Sequence, residues 1–408
     1  MKTLSKTANI QSAVKRAPSN PYDVASAVVE ARAKGLRLAV VSTGHGLMPL
    51  GDLSESLVLD VSGLDSIDVD AQRGVARIGG GVTWGELLAE TSPLGLTGPF
   101  GTAASVGVAG YSLGGGVGPL GRHLGLGSSA LRAVELVTAG GELVRADRNT
   151  DPELLWALKG GGGGLGVVTS LEVDLSPLPE MTGGQLVWPI SMAAEVAHTW
   201  ARWTRSVPAN LTSSLRLIQT EPGTGIATIM VAAPISEAEL TGHLEELLAM
   251  GPVANTVTST DPAAFVAENG DPEDGPMFWI EHTMLDRLPV EAVEAAVEFA
   301  DPARGSGFAM SEIRHLGGAL ASPAKDGGAL DQIEMQYIYF VMAPPETKPG
   351  VTHAVNVLSD FGRGRSYLNF ALESLDRQSI FKPATVDRLK RVYDRLDPDR
   401  SFVQPHPI

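Results

Sequence analysis

Glycine marks where this chain could do chemistry. Of its 47 glycines, 24 fall between Gly79 and Gly166. So dense a run, alternating with good strand sequence, asks for backbone that turns sharply or comes close to a ligand. Three blocks stand out. An apolar strand over residues 36–42 runs straight into Thr43-Gly44-His45-Gly46. The second block is Gly101-Thr102-Ala103-Ala104-Ser105-Val106-Gly107-Val108-Ala109-Gly110-Tyr111-Ser112-Leu113-Gly114-Gly115-Gly116. The third passes from Leu154 through Gly160-Gly161 to Gly164-Leu165-Gly166-Val167-Val168-Thr169. On spacing alone His45 has two readings: a turn histidine making one hydrogen bond, or an imidazole presented to a ligand. Gly116-Val117-Gly118-Pro119-Leu120-Gly121 satisfies G-x-G-x-x-G, but a dinucleotide fingerprint needs a strand before it and a helix opening inside it. Here Gly114 and Gly115 precede and Gly125 and Gly127 follow, so no Rossmann site is expected. No Gly-Lys-Ser/Thr phosphate loop occurs.

The elements that must position these blocks belong to a chain of 408 residues, enough for two or three domains. The net charge of −16 argues against a nucleic acid or an anionic membrane surface as partner, because both need clustered cations. There is no cysteine, which removes disulfides, thiolate metal sites, iron–sulfur clusters and thiol nucleophiles together. The eight histidines show no ligand-like cluster, so no metal site is expected. Residues 1–16 lack the apolar core of a secretory signal, and no stretch is long enough for a membrane span. The expectation is a soluble, cytoplasmic protein.

Asn20-Pro21 opens an amphipathic helix over residues 21–34. Strands are expected at 57–61 and 75–78, a short helix at 84–90, and a hairpin of 131–138 with 142–146 across Gly140-Gly141. Asp151 and Pro152 open a helix that Gly160 ends, and 166–175 is a strand. Pro177, Pro179 and Gly183-Gly184 mark a boundary. Beyond it strands at 212–219, 226–233, 307–315 and 332–342 alternate with helices at 237–250 and 290–299, and a last helix covers 385–396. That pattern suits a mostly antiparallel α+β domain.

In this order, the three glycine blocks resemble the FAD-binding domain of the vanillyl-alcohol-oxidase superfamily, and most of all the berberine-bridge-enzyme-like FAD-linked oxidases. Glu312-Ile313-Arg314-His315-Leu316-Gly317-Gly318-Ala319, Tyr367-Leu368-Asn369-Phe370 and the stretch from Asp394 to Phe402 are similar to later blocks of the same family. The resemblance implies an α+β fold: a two-subdomain PCMH-type FAD-binding domain (1–178), an α+β substrate domain with a mostly antiparallel sheet (179–362), and a C-terminal segment returning to the FAD domain (363–408).

The resemblance implies FAD, gripped at its pyrophosphate by main-chain amides of glycine-rich turns acting as anion nests. Ser42, Thr43, Gly44 and Gly46 would serve, with Gly101, Thr102, Ser105, Gly107, Gly110, Gly114, Gly115 and Gly116. Gly166, Val168 and Asn369 would complete the cofactor site. His45 matches the family histidine that bonds to the flavin 8α-methyl carbon. Bicovalent members add a cysteine where this chain has Ala103, so the implied link is single. Val41 replaces a common arginine. Val106 matches a position associated with dioxygen access. A small organic substrate, with dioxygen as electron acceptor, is implied.

Hydride leaving a C–H bond usually needs a base for the neighbouring proton. In a strand over 332–342, Ile333, Met335, Tyr337 and Tyr339 share one face. Tyr337 or Tyr339 could reach the ring, with Tyr367 from the C-terminal segment and Tyr111 from the second block. A phenol would need its pKa lowered by roughly three units, about 4 kcal/mol, to act as base at neutral pH. The family's second C-terminal tyrosine is Phe370 here. Glu312 and Arg314 read as an ion pair, and His282 and His315 as structural. Three readings follow: an oxidase of alcohols or activated C–H bonds that makes hydrogen peroxide, an oxidative cyclase or desaturase, and a ligand-binding protein on a degenerate flavin scaffold.

Overall fold

Asn20 accepts from the backbone N–H groups of Tyr22 and Asp23, and with Pro21 behind it opens α1 (Pro21–Ala33). In this computed structural model, which describes residues 10–269 and 278–408, α1 buries Val24, Ala27, Val28 and Ala31. They pack with a three-stranded parallel sheet of β1 (Val14–Arg16), β2 (Arg37–Val41) and β3 (Ser56–Asp60), in the order β1-β3-β2. Residues 1–9, part of the segment expected to carry no secretory signal, lie outside the described residues.

A second sheet follows, wholly antiparallel: β4 (Ile67–Asp70), β5 (Val75–Gly79), β6 (Leu131–Val137), β7 (Leu143–Ala146) and β8 (Val167–Asp174), in the order β4-β5-β8-β6-β7. The hairpin expected across Gly140-Gly141 is β6–β7. A Thr83–Glu86 capping box opens α2 (Trp84–Thr91), and α3 (Val108–Leu113) starts at Gly107. Asp151 caps α4 (Pro152–Leu158). Trp84, Phe100, Val134 and Leu136 of β6, and Leu154 are fully buried in one core. Apolar side chains of this size contribute about 1.5–3 kcal/mol each when buried, so this core holds the glycine loops in place.

The third sheet contains β9 (Met181–Pro189), β10 (Thr212–Glu221), β11 (Thr224–Ala233), β12 (Trp279–Leu285), β13 (Met310–His315) and β14 (Tyr337–Ala343), in the order β9-β11-β10-β13-β14-β12, all antiparallel. One face carries α5 (Ala193–Trp203), α6 (Val290–Ala300) and α7 (Lys348–Ser359). The other faces the glycine-rich half.

Three departures from the sequence reading have local causes. β9 runs through Gly183-Gly184, read from the sequence as marking a boundary, and Gly183 lets Phe265 approach: a Cβ there would lie 2.6 Å from the Phe265 ring. The helix expected over 237–250 breaks at Leu244 into Glu237–His243 and Glu245–Leu248. The strand expected over 332–342 starts only at Tyr337, because Ile333 donates to Leu320 and Gln336 to Leu285, outside the β13 ladder. Finally α8 (Pro383–Leu396) packs on α4, and Phe402 pairs with Leu38 of β2.

Candidate functional site: a trough under a charged sheet face

The turn after β2 and the loop before α3 form a trough. His45 Nε2 lies 3.0 Å from Ser105 Oγ. A Cβ on Gly107 would come no nearer than 3.8 Å, to Thr43, with Ser42 Oγ next at 3.9 Å. Gly44 has φ 85, a left-handed conformation that suits glycine and turns His45 outward, where it is exposed. The Ser105–Gly107 loop is fixed from behind: Trp84 N–H donates to Val106 O, Gly85 N–H to Ala104 O, and Val108 N–H to Val82 O. At Gly46 and Gly110 a Cβ would meet nothing within 4 Å, so the trough is open at both. Ser42 Oγ is buried without a hydrogen-bond partner among the described residues. Open backbone, an orphaned hydroxyl and an exposed imidazole fit a ring-bearing cofactor with a phosphate tail. Asn369, also exposed, closes one end, its amide donating to Tyr111 O at 2.9 Å.

Other glycines of the expected cofactor set serve packing. Gly101 and Gly116 clear room for the Tyr111 ring: a Cβ would lie 3.1 Å and 2.3 Å from it. Gly114 admits Asn369, and Gly115 admits Leu330 and Tyr367. Gly166 lies against Leu136 and Val137, and Val168 is a buried residue of the second sheet. Thr102 is half-buried in the loop that follows Phe100.

The third sheet presents its second face to this half of the molecule. Arg216, Glu312, Phe340 and His282 form one cross-strand row over β10, β13, β14 and β12. Glu312 is fully buried and accepts from Arg216 Nε and Arg314 Nε, both at 2.7 Å. Burial alone would raise its carboxyl, but the two guanidiniums hold it below the usual carboxylate range. The triad therefore carries one net positive charge. Ser214 Oγ and Thr228 Oγ1 on the same face are buried with no partner among the described residues. Phe370 stacks on Phe340 at 5.1 Å, edge-on to Tyr367 and His282. Burial pulls His282 down to about 4, and its neutral Nε2 accepts the Tyr367 N–H at 2.8 Å.

The four candidate tyrosines separate. Tyr337 and Tyr339 do share a face, as expected, but it is the helix-covered one: both lie in the core with α5–α7, and Tyr337 bonds to Thr204 at 2.9 Å. Tyr111 is buried edge-on to Trp84 beneath the glycine loop. Only Tyr367 stands at the junction, with Val117, Met284 and Ile338. Burial raises the phenol pKa of Tyr111, Tyr339 and Tyr367 alike. None is therefore a ready base at neutral pH. Arg216, Ser214 and Thr228 escaped the sequence reading. For Ser214 and Arg216 the signal was two polar residues two places apart beside Leu215 and Leu217.

Residues 13–147, which include the His45 turn and the loop before α3, match the family model described as FAD binding domain. An uncharacterized FAD-linked oxidoreductase of Bacillus subtilis, YgaK, is 27% identical over 403 residues, covering 94% of this chain and 88% of the relative. (R)-6-hydroxynicotine oxidase of Paenarthrobacter nicotinovorans is 39% identical over 172 residues, 42% of this chain and 38% of that protein, so this match spans less than half of the relative. The crystal structure of 6-hydroxy-D-nicotine oxidase from Arthrobacter nicotinovorans superposes with a TM-score of 0.84 at 26% identity, covering 100% of this chain and 96% of the other. Berberine bridge enzyme from Eschscholzia californica shares the fold, with a TM-score of 0.87 at 18% identity over 100% of this chain and 92% of that one. Fold and trough thus define a flavoprotein of the FAD-linked oxidoreductase class. The chain has the fold of the berberine-bridge-enzyme-like oxidases, with an FAD-binding domain over residues 13–147.

Proposed function

We propose that this protein oxidises a small, electron-rich or anionic organic molecule held between the trough and the charged sheet face, with FAD attached once, through His45. The observation that carries the reading is the exposed imidazole between Gly44 and Gly46, set 3.0 Å from Ser105 in an otherwise open trough. FAD supplies a two-electron acceptor that takes hydride from a C–H bond and passes the electrons to dioxygen, giving hydrogen peroxide. The chain's residues do the rest. Backbone amides of Ser42–Gly46 and the loop to Gly107 bind the phosphates, as anion nests do. The Arg216–Glu312–Arg314 triad, one net positive charge in a buried setting, orients an alkoxide, phenolate or other electron-rich group. Ser214 and Thr228 offer that group two hydroxyls. Tyr367, neutral at pH 7, donates or holds a proton at its phenol oxygen. His282 keeps its place through the bond to Tyr367 N–H.

Val106 shapes the wall beside the His45 turn, in line with an oxidase. Ala103, in place of a second attaching cysteine, leaves His45 as the single attachment point. Acid precipitation of purified protein tests the attachment: the pellet should stay yellow, and His45→Ala should release its colour to the supernatant. A wild-type pellet that bleaches would remove the covalent link, and a protein colourless even with added FAD would remove the flavin.

A further inference from the structure

On the helix-covered side of the third sheet, away from the trough, a cavity of about 560 Å³ opens where β12 and β13 end and β14 begins. That is within the size range of small-molecule pockets. Its floor holds His315, 5% exposed and stacked on Tyr337 with ring centroids 5.4 Å apart. Arg122 Nη1 lies 3.0 Å from His315 Nε2. A guanidinium only donates, so Nε2 accepts, and burial and Arg122 both keep the ring neutral. The proton must then sit on Nδ1. That N–H is buried and has no partner among the described residues. His315 lines the cavity, and this unspent donor is buried beneath its floor.

Arg122 cannot be the ligand-binding cation. It is itself buried, with Nε on Leu211 O at 2.7 Å, Nη2 on Pro208 O at 3.1 Å, and Nη1 on Leu316 O. It fixes His315. The cations facing the opening are Arg205 and Arg287, both exposed. Arg205 makes one long contact, 3.5 Å to Leu288 O, and Arg287 enters no ion pair among the described residues. The one carboxylate in the lining, Asp286, is bound by Arg363 at 2.5 Å. Two unneutralised arginines side by side are unusual here, in a chain of net charge −16 whose surface arginines are largely paired. Helix α6, 11 residues long, starts beside Pro289 of the lining, and no side chain caps its first amides.

We propose that this cavity is a second binding site, for a small metabolite bearing a phosphate or carboxylate group, which Arg205 and Arg287 grip from outside and the His315 Nδ1–H meets at the floor. The reading is independent of what is oxidised in the trough.

The test uses the protein as purified, with its flavin, in chloride buffer of constant ionic strength. Inorganic phosphate and succinate are titrated separately by calorimetry and by flavin-fluorescence melting. One-site saturable binding by at least one of them, with a raised melting temperature, is expected. Phosphate alone binding marks a phosphate-bearing ligand, and succinate alone a dicarboxylate. The double variant Arg205→Ala/Arg287→Ala should melt like wild type in chloride and bind at least 10-fold more weakly. The proposal falls if neither anion saturates, or if the double variant binds as tightly as wild type.

Discussion

The third sheet has two buried faces that are built differently. The helix-covered face is apolar, with Leu215, Ile229, Ile313, Tyr339 and Val341 packed under α5–α7. Its polar groups carry no charge: Trp200 Nε1 is paired to Ser213 Oγ at 3.0 Å, and His315 Nδ1 is left over among the described residues. The face toward the trough, from the same six strands, holds a buried three-charge network and two orphaned hydroxyls. Burying charge is costly unless it is paired, and burying an unpaired hydroxyl costs about 1–3 kcal/mol. A fold pays for such groups only where they meet something else. The contrast between the faces therefore locates the site, while burial alone does not separate them.

The strongest way to break the contrast is Glu312→Ala. It leaves Arg216 and Arg314 buried without their carboxylate, and a loss of about 3–5 kcal/mol is expected in denaturant unfolding. Glu312→Gln should keep part of that stability. A loss under about 1 kcal/mol for the alanine variant would mean that water reaches the triad and that the face is not a sealed roof.

A pair of phenol deletions sharpens the comparison. Tyr367→Phe, at the junction, should lower turnover about 10- to 100-fold, the worth of one buried hydrogen bond. Tyr339→Phe, on the helix face with its hydroxyl against Ser311, should leave turnover unchanged. Equal effects would erase the distinction between faces. This is where the sequence stopped short. The two-residue period that puts Tyr337 and Tyr339 together holds in β14, but periodicity does not say which face meets the cofactor when both are buried. The glycine-rich half was more legible, since Asn20 and Asp151 each announce a helix through their own side-chain bonds. Even there, the glycine signal merged two causes. Gly44, Gly46 and Gly110 border the trough, whereas Gly101 and Gly116 make room for Tyr111. Residues brought together only by cross-strand pairing, such as Arg216 with Glu312, could not be joined without the register.

The smallest expected effect concerns His315 on the helix face. Burial and Arg122 pull it down to about 3, so an unfolded chain, titrating near 6.5, takes up the proton first as pH falls. Its contribution is complete above pH 6.5 and is lost progressively from there toward pH 3. Between pH 7.5 and 5.5, wild type should lose about 1.4 kcal/mol more than His315→Gln. Identical losses would mean that the imidazole takes up its proton in the folded state.

On the proposed reading, FAD occupies the trough between the His45 turn and α3. Gly110 tests it most directly, because a Cβ there meets no protein atom within 4 Å and its φ is not in the left-handed range. Gly110→Leu should leave the fold intact, with a melting temperature of the flavin-free protein equal to or above that of wild type. Flavin content, read from the visible spectrum after reconstitution, should fall from one FAD per chain to a small fraction. A Gly110→Leu protein that still holds one FAD per chain would place the cofactor elsewhere.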